Sequence, residues 1–230
     1  QVDYEKNIVP IPVTSKPFRL DQRQQQAGQQ GGGEGTDTTN MSEATHQVVD
    51  KLEDTLVNGG DVNITTSAGQ FGIPGYTTLS ARQTVSFNDV EWSSTTDLTN
   101  AVQDVLDMRK NLRDNGFDGP YRLYIPSNWD GVIDDDYKTE SDRTLRERIL
   151  AMDGIQSVSV LPALSDSNAV LVQMTETAIQ MPVGQDVTPV TWDIQGGLAS
   201  PWVVMGVLSF ALKIARDGSG NNVAGIAHLS

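Results

Sequence analysis

The sequence predicts an α+β fold, and three observations carry that prediction. Residues 41–58 and 96–114 repeat apolar side chains at helical spacing. Short runs rich in Val, Ile, Leu and Tyr, bounded by Gly, Pro, Asn and Asp, recur from Tyr121 onward and read as strands. Helices and strands are mixed without the regular strand–helix–strand alternation of a doubly wound sheet. A chain of 230 residues is long enough for one large domain or two small ones around a real core.

The elements follow in order. Ile8-Val-Pro-Ile-Pro-Val13 is extended, because proline fixes φ and lacks a backbone donor. With Pro17 it makes residues 7–20 an edge-type strand or arm that needs a pairing partner. Residues 21–39 are rich in Gln and Gly, offer nothing apolar to bury, and read as a flexible loop or a short fraying helix followed by a loop. Their Gly31–Gly35 cluster is not a phosphate cradle, since no Gly-Lys-Ser/Thr follows it. A helix over 41–58 takes Asn40 as its cap and Glu43 as the reciprocal capping residue. Ala44, Val48, Leu52 and Leu56 form its stripe with Val49 beside them, and Gly59-Gly60 ends it. Residues 61–95 read as turns, including a loop over Gly69–Tyr76, with a short strand within Thr84–Trp92.

A second helix over 96–114 sets Leu98, Val102, Val105, Leu106, Arg109 and Leu112 on one face. Asp97 in its first turn, and Arg109, Lys110 and Arg113 near its end, suit the helix dipole. Asn115-Gly116 stops it, and Tyr121–Ile125 is a buried strand. A helix over 141–152 presents Leu145, Ile149 and Met152. Strands are predicted over 155–161, 168–174 and 177–183, then a long one over 202–215, before a turn-like tail over Asp217–Asn222.

Composition narrows function. The chain carries 30 acidic against 16 basic residues, a net charge of −14, and the acids are 22 Asp and 8 Glu. That balance opposes tight binding to nucleic acid backbones, which requires clustered Lys and Arg. Aspartate-rich, lysine-poor chemistry is the balance expected of a high-salt host, and an ordinary acidic surface accounts for it equally. No cysteine is present, so disulfides and thiolate metal sites are excluded. The most apolar run, Pro201–Ala215, contains Ser209 and Lys213 and falls short of the roughly 20 residues of a spanning helix. No signal peptide is visible.

No catalytic constellation emerges. His46 on the first helix and His228 in the tail are the only imidazoles, and no Gly-x-Ser-x-Gly elbow accompanies them. Asp134, Asp135 and Asp136 are candidates for Ca²⁺ or Mg²⁺, although a solvated loop explains the same residues. Asp114–Gly119 looks superficially like a calcium loop, but its third position is Gly116 and its twelfth is Ile125. A carboxylate pair for hydrolysis is not nominated by any spacing. Arg143, Arg146 and Arg148 lie beside Asp142 and Glu147, where salt bridges are expected.

Four motifs carry a family resemblance. They are Val9-Pro-Ile-Pro-Val13 with Lys16-Pro-Phe-Arg19; Gly72-Ile-Pro-Gly-Tyr76 after a helix ending Leu56–Gly60; Asp118-Gly-Pro-Tyr-Arg-Leu-Tyr-Ile-Pro126; and Val183-Gly-Gln-Asp186. In order and spacing the chain resembles shell proteins of the Hong Kong 97 fold, and among them the encapsulin-like major capsid proteins of tailed viruses. The resemblance implies an extended-loop remnant over 1–39, a peripheral domain with a spine helix over 40–95, and an axial domain over 96–190. It implies a peripheral return strand and C-terminal tail over 191–230. It also puts Asp134, Asp135, Asp136, Tyr137 and Lys138 on an assembly loop directed at the capsomer centre. Only Gln1–Ile8 precede the first motif, so the arm and first loop strand of such proteins are expected to have been removed in maturation or to lie outside this sequence.

The functional expectation is a non-enzymatic major capsid protein without cofactors, forming pentamers and hexamers of an icosahedral head. It would contact packaged double-stranded DNA weakly, and decoration, portal or vertex proteins are possible further partners. It would be assembled in the host cytoplasm, act in the virion, and involve no membrane. The alternatives are an encapsulin shell loading an enzyme cargo and an acid-pair hydrolase.

Overall fold

A computed structural model describes residues 13–16, 39–66, 69–93, 98–138, 141–181, 183, 187, 202–204, 209–210, 213–214 and 221–230. It divides into two compact units. One comprises the described residues of 1–56, 61–73 and 181–207; the other those of 57–60, 74–180 and 208–230.

In the first unit, strand β1 (Val13–Ser15) pairs antiparallel with β9 (Trp202–Val204). The Pro-marked segment has thereby found the partner it needs; its remaining residues, and the Gln/Gly stretch up to residue 38, lie outside the described residues. Helix α1 spans Thr39–Asn58, so Asn40 lies inside it and not at its cap. Glu43 instead accepts a hydrogen bond from Gln47 Nε2 at 2.8 Å, one turn on. Ala44 and Val48 are buried as the stripe requires, Leu52 and Leu56 are half-buried, and Val49 is exposed. Strands β2 (Gly60–Thr66) and β3 (Gly69–Ile73) pair with each other. The expected loop over Gly69–Tyr76 is therefore a strand in its first half. Gly and Thr read as turn residues locally, but a pairing partner supplied by the chain overrides that preference.

The second unit is built on a five-stranded mixed sheet in the order β4–β13–β7–β5–β6. These strands are Gln83–Val85, Ile226–Leu229, Ala169–Gln173, Tyr121–Ile125 and Ile155–Val160. Central β7 is buried along its whole length. Helix α2 (Leu98–Asp114) covers one face, burying Leu98, Ala101, Val102, Val105, Met108 and Leu112. Met108 occupies the place expected for Arg109, which reaches Asp153 O at 3.1 Å from the helix flank. A 3.6-residue period puts both near the stripe, and the apolar side chain takes the interior position. Thr96 and Asp97 lie outside the described residues.

Two further expectations are corrected. The third helix, expected over 141–152, is α4 over Leu145–Leu150, because the Thr144 hydroxyl caps it by accepting from Glu147 N–H at 3.3 Å. The strand expected within 177–183 is β8, Ile179–Gln180. Of the long strand expected over 202–215, the described residues are β9, β10 (Ser209–Phe210) and β11 (Lys213–Ile214), which pair with β1, β8 and β12 (Asn222–Val223) respectively, and the residues between them lie outside the described ones.

The largest correction concerns the C-terminus. His228 does not lie in a tail but in β13, parallel to β4 and antiparallel to β7. The described residues of 74–93 and 208–230 thus group with Tyr121–Ile125 in the second unit. A four-residue run cannot announce its partners, which lie far away in sequence.

The Gly72–Tyr76 motif has a steric reason. A Cβ on Gly75 would stand 2.3 Å from Gly59 N and 2.6 Å from Val57 O. Only glycine permits that approach of the backbone to the end of α1. Thr77 N–H then donates to Val57 O at 2.9 Å, and the Thr77 hydroxyl to the same oxygen at 3.0 Å, closing the helix end.

Candidate functional site

The loop after β5 is the feature the sequence singled out, and its base is rigid. A 3₁₀ turn over Ser127–Trp129 leads into helix α3, Asp130–Ile133. Trp129 and Ile133, one turn apart, are both buried in the core. Trp129 stacks on Trp92 with ring centroids 4.6 Å apart and meets Phe87 edge-on at 6.1 Å. Trp92 Nε1–H donates to buried Asp104 at 2.7 Å. The backbone and side-chain nitrogens of Asn88 donate to the same carboxylate at 2.8 and 2.7 Å. Asp104, a buried acceptor on α2, thus ties the 88–92 segment beneath the loop.

Asp134, Asp135 and Asp136 follow, all exposed. The Asp134 carboxylate accepts a fork from Arg146, with Nε at 2.6 Å and Nη2 at 3.3 Å. Asp130 lies 3.8 Å from the same guanidinium, and Arg146 Nη1 donates to Val158 O of edge strand β6 at 3.3 Å. Arg146 hydrogen bonds hold the Asp134 carboxyl below its ordinary range. The loop closes on itself. Leu145 N–H donates to Asp135 O at 2.9 Å, Asp136 bridges Thr144, and Tyr137 N–H donates to Arg143 O at 3.4 Å. Tyr137 packs against the core, and Lys138 Nζ lies 5.4 Å from its ring centre.

The five predicted residues therefore form one ordered, charged projection. It is not arranged as a metal centre: among the described residues no group of three or more His, Asp or Glu side chains is gathered to hold an ion. Asp134 is spent on Arg146. That arginine bridges Asp134 and Asp130 across 12 and 16 residues, not the adjacent Asp142 or Glu147. Helical spacing alone cannot find such a pair. His46 is exposed on α1. An open surface hollow lies between β4 and α2, lined by Thr84, Val85, Asp107, Lys110, Asn111 and Asp114. No His lines it, so it lacks the imidazole base a Ser-His-Asp relay requires. Among the described residues no helix is long and apolar enough to cross a membrane.

Comparison with known proteins bears on this architecture. No curated protein matches the chain in sequence. Among solved structures it is similar to a virus-like particle from Pyrococcus furiosus, with TM-score 0.69 and 17% identity, covering 96% of this chain and 77% of that one. It is also similar to the capsid of Myoviridae phage XM1, with TM-score 0.67 and 12% identity over 95% of this chain and 73% of that one. A chain from Mycobacterium phage Bobi gives TM-score 0.52 and 10% identity, covering 94% and 72% respectively. At such identities the likeness is one of fold, and the fold is the Hong Kong 97-like shell fold. The model of the Linocin_M18 family, described as encapsulating protein for peroxidase, matches residues 3–189. A match across most of the chain, on a fold shared with shell subunits, makes this protein a member of that family.

Proposed function

We propose that the chain is the repeating subunit of a closed icosahedral shell, the major capsid protein of a tailed double-stranded DNA virus assembling as pentamers and hexamers. The observation that carries the shell reading is the near full-length likeness to a virus-like particle and to a phage capsid. A closed shell needs repeated self-complementary surfaces, not a catalytic pocket. The net charge of −14 suits an interior that contacts packaged DNA weakly. In this reading the subunit is made in the host cytoplasm, resides in the virion and meets portal, vertex or decoration proteins. The excess of Asp over Glu supports a halophilic host, for which loss of stability in dilute salt is the check.

The unit containing the five-stranded sheet takes the axial role, and the unit containing α1 the peripheral one. Asp134, Asp135, Asp136, Tyr137 and Lys138 are the assembly residues facing the symmetry axis. Reversing Asp135 and Asp136 to Lys is expected to abolish capsomers while the subunit keeps its circular dichroism. Normal capsomers from that variant would count against the assignment.

A second reading is favoured by the family description: a compartment shell enclosing a peroxidase. Electron microscopy of the purified assembly, with analysis of its contents, separates the two. Particles with hexamers and nuclease-protected DNA support the viral head. Particles that copurify an enzyme and no DNA support the compartment. A monodisperse monomer in high salt overturns both. Turnover lost on substituting Asp134–Asp136 would instead favour the acid-pair hydrolase.

A further inference from the structure

We propose that His228 is an acid-operated latch that holds the last strand, β13, in the five-stranded sheet. β13 joins β4 to β7. Ala227 and Leu229 enter the core under α2. By strand alternation, Ile226 and His228 point to the other face. There His228 is 6% exposed, with both ring nitrogens engaged. Arg82 Nε lies 3.2 Å from Nδ1, and Asn168 Oδ1 lies 3.0 Å from Nε2.

The hydrogen-bonding sense is forced. A guanidinium has only donors, so Nδ1 accepts. Asn168 directs its amide nitrogen to Asp166 O at 3.2 Å and Ser165 O at 3.5 Å, which turns its oxygen to the ring. Nε2 therefore carries the single proton of a neutral imidazole. A second proton has only Nδ1 to occupy. There it sets one N–H against another and a new cation against Arg82.

Among the described residues no carboxylate offsets that charge. The described titratable and charged groups sharing this face are Arg82 from the turn before β4, Arg122 and Tyr124 from β5, and Tyr76 stacked on Tyr124 at 6.2 Å. Asp166, in the turn before β7, is exposed and contributes its backbone oxygen. The α2 carboxylates, Asp104 and Asp107 among them, belong to the helix that packs under Ala227 and Leu229, on the opposite face. Burial first, and Arg82 second, push the ring down from 6.5 to about 4.

The ring joins three segments. Arg82 is also tied through Nη1 to Leu79 O at 3.0 Å, and Asn168 directly precedes β7. Protonation releases the Arg82 bond and repels its cation, so the β4–β13 edge opens while β5 and β6 stay paired. The latch acts within one subunit and does not depend on what the shell encloses.

Hydrogen exchange by mass spectrometry on the full chain tests this, with peptides over 81–85 and 222–230 read against 121–125 and 155–160. After correction for intrinsic exchange, acidification from about pH 7 to about pH 4 should cost the first pair roughly tenfold more protection than the second. In His228→Gln that divergence should vanish, and in the exposed-site control His46→Gln it should persist. Equal loss in all four segments of the wild type overturns the latch, as does the same divergence in His228→Gln. Should His228→Gln fail to fold, Arg82→Gln decides: removing the cation should move the transition toward pH 6.5, and an unmoved transition rejects the proposal.

Discussion

One sheet presents two faces of different chemistry. Under α2, the row Ala227–Leu171–Leu123 runs across three strands as unbroken aliphatic surface, fully buried. On the reverse, the next row is His228–Val170–Tyr124, extended by Arg82 and Tyr76. Burial beside Tyr124 pushes the Tyr76 phenol up, against the pull of Arg122. The first face is held by packing that no proton changes. The second is held by hydrogen bonds whose sense depends on protonation. Because each strand contributes alternate residues to both faces, one backbone carries a permanent core and a pH-sensitive one.

Substitutions can break this contrast. The largest effect is expected on the helix face: Leu171→Ala leaves a cavity in the central strand and should cost about 2–5 kcal/mol in chemical denaturation, equally at pH 5 and pH 8. A pH-dependent loss would blur the distinction. Asp104→Ala removes the acceptor shared by Asn88 and Trp92, strands the buried Trp92 Nε1–H, and should cost about 1–3 kcal/mol with loss of the near-ultraviolet signal of the Trp92–Trp129 stack. An unchanged stack would show that apolar packing alone holds the 88–92 segment.

On the reverse face the lever is pH. The folded pKa of His228 lies at about 4, below the unfolded 6.5. Its contribution is therefore present above pH 6.5 and lost as pH falls through 4, up to about 3 kcal/mol in all. Wild type minus His228→Gln, followed by denaturant midpoints against pH, isolates it. The smallest effect is expected at the loop. Arg146→Gln should cost under about 1 kcal/mol in dilute buffer and nothing in molar salt, because Asp134 is largely solvated. Its Asp134 carboxyl should return upward to the ordinary range, since Arg146 is what lowers it.

Much of the fold is legible locally. Strand Tyr121–Ile125 matches its predicted bounds, because its apolar run is flanked by turn residues on both sides. Helix Leu98–Asp114 lies within its predicted span for its periodicity. The candidate loop is legible as a charged projection, but its construction is not. Arg146 finds Asp134 because α3 and α4 are brought together, and neither residue signals the other. Asp104 reads as one more surface acid on an amphipathic helix, and only the returning 88–92 segment makes it a buried acceptor. Nothing local marks His228 as a strand residue, because a four-residue run has no pattern of its own.

Local order was thus the sequence's share: which stretches are helix or strand, where glycine and proline break them, and a composition with two histidines and no cysteine. Those properties depend on neighbours a few residues away. The tertiary structure decided which strands pair, which acids are buried or bridged, and that the last strand lies between two earlier ones. Such outcomes rest on contacts between residues from 12 to more than a hundred positions apart in sequence, whose energies exist only once the chain has closed on itself.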